Sequence, residues 1–298
     1  MAYGLPSGAQ LKTRILNSRP EDLADLRYGL GVRAPDGAER AFLESFRRSH
    51  VPSIDAFLGS RLDFMELGKL AIAATLLPLE STELLLDSEP ADHWYQYLTE
   101  ALDAPWEDFQ NNRLSVITFN YDRSLEVFLE STLMHRHGRP ADEVREKLTC
   151  IPILHVYGSL GSTNPSDSNF VPYGAVDRGT IATASANITV IPEGRDNSPE
   201  FALAQQLLAD ADVIGFLGFG FDATNVRRLG GTGIAASGPA FGVNVHARPF
   251  KATAFNLTNA ERRRAALSIT HPQTHGLSPE QHLLDMQCRQ MLRETLLF

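Results

Sequence analysis

The sequence predicts an α/β fold, a doubly wound and mostly parallel sheet that carries an inserted helical block. Three observations predict it. Short apolar or β-branched runs recur at Val116–Phe119, Ile151–Tyr157 and Asp212–Leu217, at a length that suits buried strands better than helices. Helical periodicity lies between and after them, and strands alternating with helices imply a parallel sheet. Each run also ends in a polar or glycine-rich stretch: Asn120-Tyr121-Asp122, Gly158-Ser159-Leu160-Gly161 and Gly218-Phe219-Gly220-Phe221-Asp222. The carboxyl ends of strands are where an open α/β sheet keeps its chemistry.

Taken in order, the elements follow from spacing and punctuation. Ser7 is placed to cap a helix carrying Leu11, Ile15 and Leu16. Apolar residues then recur at helical spacing around Leu23–Leu30, Ala38–Phe46, Ile54–Leu58, Met65–Leu77 and Trp94–Leu102, with no strand pattern among them. The organising stretch is Leu114–Glu126, LSVITFNYDRSLE: a strand, a polar trio, then a helix through Leu125, Phe128 and Leu129, with Asp122 as its N-cap. A short helix at Glu143–Leu148 leads to the second strand. Gly161–Thr183, rich in Ser, Asn, Pro and Gly, reads as a long loop or lid, and Ile188–Ile191 as a third strand. Glu200–Ala209 is an amphipathic helix before the Asp212–Leu217 strand, and Ala223 starts another helix. Gly230–Gly238 reads as loop, Ala240–Val245 as a weak fifth strand, and Asn259–Leu267 and Pro279–Leu296 as closing helices. The description is one Rossmann-like domain over 1–298, with a helical insertion at about 20–105 and a sheet core at about 110–270.

Composition narrows the function classes. A chain of 298 residues with a formal charge of −9 argues against a broad nucleic-acid footprint, so no direct nucleic-acid contact is expected. Cys150 and Cys288 lie far apart and form no metal-type pair, which points to a reducing cytosol without a structural zinc site. The most apolar run, Leu67–Leu79, is broken by Lys69 and Pro78 and is too short to span a bilayer.

Three strand ends on one carboxyl edge would line a single crevice. Each is ambiguous by itself. An Asn at a strand end is most often a turn residue, Asp122 serves equally as a helix cap, and Gly218-x-Gly220 is as readily a packing device as a phosphate cradle. On an alternating strand Ile153, His155 and Tyr157 share a face, where a histidine is commonly a hydrogen-bonded core residue.

The segments VITFNYDRSLE, ILHVYGSLG and VIGFLGFGFDATNV, with Gly4-Leu5-Pro6-Ser7-Gly8 and Ser53-Ile54-Asp55-x-Phe57, together resemble the sirtuin-like NAD-consuming domains of bacteria, in particular the antiphage-defence branch. The resemblance covers most of the chain. It implies NAD as substrate, cleaved to nicotinamide and ADP-ribose, and NAD depletion as the outcome. Asn120 falls on the catalytic asparagine that positions the nicotinamide ribose and the attacking water, with Asp122 as its companion. Tyr157 stands where the family has a histidine, and His155 lies two residues upstream. Either His155 supplies the base, or Tyr157 does so weakly, or hydrolysis relies on Asn120 alone; a tyrosine pKa near 10 makes it a poor base at neutral pH. Gly4, Gly158 and Ser159 fall on ligand-approach positions. Gly218, Phe219 and Gly220 fall on the segment that holds the adenine-side ribose and phosphates, followed by Asp222 and Asn225. In the family a strand and a Gly-Ala-Gly turn precede the Gly4 segment; Met1 stands just after that position, and a protein that began there would be expected to bind NAD weakly or not at all.

The zinc-binding cysteines of protein-deacetylating sirtuins are missing, so no metal is expected and deacetylation is the less favoured chemistry. A homo-oligomer is the expected assembly, with a hexameric ATPase or an Argonaute-like protein as further partners that the resemblance allows. A second reading is a nucleotide-binding regulatory or assembly subunit that senses NAD or an ADP-ribose derivative without turnover.

Overall fold

Parallel pairing of short strands alongside many helices makes this a mixed α/β protein. The computed structural model describes residues 2–87, 93–191, 198–212, 214–220, 222–229, 250–253, 283–284 and 288–295. The weak strand expected at Ala240–Val245, the helix at Asn259–Leu267 and the loop Gly230–Gly238 lie outside them. Two compact units divide the chain: Met1–Pro90 with Val116–Asp196, and Ala91–Ser115 with Asn197–Phe298.

In the first unit five helices precede the sheet: α1 (Gly8–Leu16), α2 (Pro20–Gly29), α3 (Ala38–Ser49), α4 (Ile54–Ser60) and α5 (Met65–Leu76). Ser7 caps α1 as its sequence implies, accepting from the Gln10 N–H while the Gln10 side chain accepts from the Ser7 N–H at 2.9 Å. Ser53 caps α4 with its hydroxyl alone, accepting from the Ala56 N–H at 3.2 Å. The two caps aim Leu11, Ile15, Ile54 and Phe57 inward, and all four are buried. Phe42, Phe46, Phe57 and Phe64 form one aromatic cluster with ring centroids 4.9–6.2 Å apart. Each buried phenylalanine contributes about 1.5–3 kcal/mol of transfer free energy, so this cluster is the main apolar anchor of the block. Helix α5 is the most apolar segment and buries Leu67, Leu70, Ile72 and Leu76 on several sides. It runs as a core helix rather than a surface one, and Pro78 follows its end.

Strand β1 (Val116–Thr118) and strand β2 (Ile153–His155) pair in parallel, with Val116 opposite Ile153 and Thr118 opposite His155. A parallel pair needs a crossover, supplied here by two helices, α6 (Ser124–His137) and α7 (Ala141–Leu148). Gly138, in the left-handed region at φ 61°, ends the first of these helices. Both strands are shorter than their apolar runs suggest. The second stops at His155 because the chain turns, the Gly158 N–H donating to the His155 carbonyl at 3.1 Å.

Residues 188–191 are not a strand. Ile188 ends helix α8 (Arg178–Asn187), and a single bridge joins it to Gly158, with the Thr189 N–H donating to the Tyr157 carbonyl at 2.8 Å. Its apolar character reflects burial of Ile188 and Ile191, not a ladder. The expected loop Gly161–Thr183 accordingly ends earlier, at Asp177, whose carboxylate caps α8 in a capping box with Thr180. Gly158 sits at φ 71°, and a Cβ there would meet the Asn187 carbonyl oxygen at 2.1 Å. Left-handed strain adds about 1–3 kcal/mol and the steric overlap a similar amount. Gly158→Ala is therefore expected to lose about 2–5 kcal/mol in urea denaturation; a loss below 1 kcal/mol would show that the bridge yields instead.

The second unit contains the helix Trp94–Ala101, which the periodicity grouped with the helical block but which packs on the helix Cys288–Thr295. Helix Pro199–Asp210 is capped by Ser198 and buries Phe201, Ala204 and Leu208. Three strands pair in parallel: β3 (Ile214–Leu217), β4 (Phe250–Thr253) and β5 (Leu283–Leu284), with β4 in the middle. β5 lies within the stretch read as the closing helix Pro279–Leu296, so that helix is confined to Cys288–Thr295 among the described residues.

Candidate functional site

The carboxyl ends of β1 and β2 bring Asn120, Asp122 and His155 together, and they add Glu126 from the first turn of α6. Asn120 follows β1 and its N–H donates to the Thr118 hydroxyl at 3.1 Å. Its carbonyl accepts from His155 Nδ1 at 2.7 Å, and His155 Nε2 lies 2.6 Å from Glu126 Oε1. Both ring nitrogens thus face acceptors, one a carbonyl and one a carboxylate. With Glu126 ionised, the doubly protonated imidazolium satisfies both, since a neutral ring carries one N–H.

Burial opposes that charge, but the Glu126 carboxylate, the Asn120 carbonyl and the nearby Asp122 outweigh it and raise the His155 pKa. The sign of the linkage follows. Because the folded pKa lies above the unfolded value of about 6.5, the stabilisation from His155 is complete below that pH and disappears as pH rises through the folded pKa. The stability difference between the wild type and His155→Gln is therefore expected to shrink between mildly acidic and alkaline pH. A difference that stays constant or grows with pH would contradict the charged assignment.

The main chain of Asn120 is held on both sides, yet its side chain is exposed and its carboxamide makes no hydrogen bond among the described residues. Glu126 Oε2 is buried without a hydrogen-bond partner among them. Asp122 does not occupy the N-cap position, which falls on Arg123; its Oδ1 instead accepts from the Ser124 N–H at 3.3 Å. Burial pushes the Asp122 carboxyl pKa up, with Ser124 opposing the shift and Glu126 reinforcing it. Tyr121 turns inward and donates to Asp55 of α4, tying the strand end to the helical block; burial and that carboxylate hold its phenol well above the usual range.

Tyr157 lies beyond the strand rather than on its alternating face. It is buried, with its ring edge-to-face against Phe119 at 5.7 Å. Sequence alternation placed it beside His155, and the turn after His155 cancels that relation. Ser159 is engaged in its own turn, its hydroxyl donating to the Gly161 carbonyl at 3.2 Å. Gly4 adopts φ 74° and lines a cavity of about 320 Å³ with Leu5, Pro6, Gln10, Thr13 and Arg14. None of these belongs to the Asn120 cluster.

The same motif also carries a buried ion pair that no local pattern signals, between Arg123 and Glu80. Arg123 spans both oxygens of Glu80, and its other nitrogen donates to the carbonyls of Ser162, at 3.3 Å, and Val171. The Gly174 N–H donates to Glu80 as well. Burial raises the Glu80 pKa against the opposing pull of Arg123. The long loop read as a lid is thereby pinned at 162, 171 and 174.

In the second unit, Gly218 follows β3 at φ 59° and Phe219 packs on Phe216 with centroids 5.7 Å apart. Gly220 precedes the helix Ala223–Arg228, whose cap is Asp222: its Oδ1 accepts from the Thr224 N–H at 2.9 Å and the Asn225 N–H at 3.2 Å. Its carboxylate therefore occupies the first free amides of that helix. Among the described residues no group of three or more His, Cys, Asp or Glu side chains is placed to hold a metal ion, and no helix is long and apolar enough to cross a membrane.

The motif alone does not mark Glu126: it is the third residue of α6, and its partner His155 lies 29 residues away, so no local spacing pairs them. The chain matches no family model, no curated protein and no solved structure in comparisons with known proteins.

Proposed function

We propose that the protein is an NAD glycohydrolase built on a Rossmann-like, doubly wound sheet and acting in the cytoplasm, with depletion of NAD in bacterial antiphage defence as its outcome. The observation that carries this is the free carboxamide of Asn120: exposed at the end of a parallel strand while its own main chain is fixed by Thr118 and His155. A rigid backbone with an unengaged polar head is what a substrate-orienting residue requires. In the reaction the bond between nicotinamide nitrogen and ribose C1′ breaks, and both electrons leave with nicotinamide. The ribosyl oxocarbenium so formed takes up water, which gives ADP-ribose and releases one proton to solvent. Asn120 orients the ribose and the water. A histidine that donates from both nitrogens has no lone pair to offer, so His155 acts as a fixed cation rather than as the base.

Nicotinamide release from NAD by the full-length protein tests the proposal. Measurable release is the expected result, and NAD persisting unchanged would sink it. The second reading, a homo-oligomeric sensor of NAD or an ADP-ribose derivative without turnover, draws on the same engagement of His155 and on the burial of Tyr157, which together leave no neutral base. Binding of NAD without nicotinamide release selects it.

A further inference from the structure

Three groups from different parts of the first unit meet end to end: the Glu126 carboxylate on α6, the His155 ring at the end of β2, and the Asn120 carbonyl after β1. Nothing in the local sequence of the Asn120 segment requires a partner for that carbonyl. A strand-end peptide would ordinarily be solvated and free to rotate about ψ. Here it is tied across the two strand ends by a ring that a helix in turn holds, through two charge-assisted contacts of 2.7 and 2.6 Å. The side chains of His155 and Glu126 are 10% and 25% exposed, so solvent competes little for either contact.

We propose that Glu126 is a positioning residue which, through the imidazole of His155, fixes the Asn120 peptide and so sets the orientation of its carboxamide. The inference rests on the reading of Asn120 as the substrate-orienting group. It assigns Glu126 no contact with substrate. It also makes the site pH-dependent in a stated direction: the lock is closed while His155 is an imidazolium and opens as pH rises through its pKa. The charged groups that face the ring are Glu126 from α6 and Asp122 from the link between β1 and α6, and both favour the closed state.

The test combines NMR and kinetics. In the unmodified protein the His155 ring signals are followed against pH together with the amide nitrogen of Tyr121, which shares its peptide with the Asn120 carbonyl. Both should titrate with one midpoint, above the ordinary histidine value. In Glu126→Gln that midpoint should fall, and the Tyr121 amide should cease to follow it. On NAD, Glu126→Gln should lower kcat on the order of 10-fold to 100-fold with little change in KM. The alkaline limb of its rate profile should also move to lower pH.

A Tyr121 amide that ignores His155 in the wild type overturns the proposal, and this arm needs no variant to fold. Wild-type turnover with an unchanged kcat and pH profile in Glu126→Gln overturns it too. If the wild type releases no nicotinamide, the hydrolase reading fails, while the NMR arm still decides whether Glu126 locks the Asn120 peptide.

Discussion

Replacing Arg123 with methionine is expected to cost the fold about 3–5 kcal/mol, the range for breaking one side of a buried ion pair. The side chains of Arg123 and Glu80 are 1% and 0% exposed. Removing the guanidinium leaves the Glu80 carboxylate in a dry interior with the Gly174 amide at 3.4 Å as its remaining partner, and it strips the donor from the carbonyls of Ser162 and Val171. Burial already raises the Glu80 pKa with arginine in place, so the variant will take up a proton there and its deficit will be smaller at low pH. Arg123→Lys keeps the charge but loses the planar fork that serves four acceptor oxygens at once, and should recover only part of the loss. The double variant Arg123→Met with Glu80→Met should lose less than the sum of the single changes, because no charge is then stranded. Urea denaturation of Arg123→Met, Arg123→Lys, Glu80→Met and the double variant measures all of this. A loss below 1 kcal/mol for Arg123→Met would mean that the pair contributes nothing to holding the 162–174 loop.

Asn120→Ala should behave in the opposite way, abolishing chemistry while sparing the fold. The carboxamide is exposed and makes no hydrogen bond among the described residues, and its main-chain contacts to Thr118 and His155 survive truncation at Cβ. Stability is expected to stay within about 0.5 kcal/mol of the wild type. Loss of a group that orients both ribose and water is worth on the order of 10²-fold or more in rate. Nicotinamide release should therefore fall by at least that factor at unchanged melting temperature. Release at the wild-type rate would remove Asn120 from the reaction and, with it, the basis for the proposed hydrolase. A fall in rate accompanied by unfolding would place Asn120 among structural residues instead.

The two predictions separate the roles packed into one short motif. Asn120 and Arg123 stand three residues apart at the end of β1, one exposed and one wholly buried. Tyr121, between them, faces Asp55 on α4, and Glu126 faces His155 on β2. The polar run is thus divided among four directions by the turn from strand into helix.

Where local chemistry suffices, the sequence by itself determined the outcome. Ser7 and Ser53 cap helices because their hydroxyls reach amides three residues on, and the β-branched run at Val116 makes a strand that ends at Thr118, just before the polar trio. The helical periodicity of α3 likewise required only the burial of one stripe, Phe42, Leu43 and Phe46, whereas α5 is buried on several sides. Helix α8 escaped because Arg178–Asn187, with its Gly, Thr, Ser and Asn, has weak intrinsic propensity; its capping box and its packing on α5 hold it. The Ile188–Ile191 run escaped for a related reason, since apolar residues buried after a helix end have the composition of a strand without its ladder. Tertiary structure alone decided the partners of His155, the burial of Tyr157 and the partner of Arg123. Glu80 lies 43 residues from Arg123, and Glu126 lies 29 from His155. No local pattern encodes such pairs, because the energy of a buried charge depends on which distant oxygen the fold brings to it.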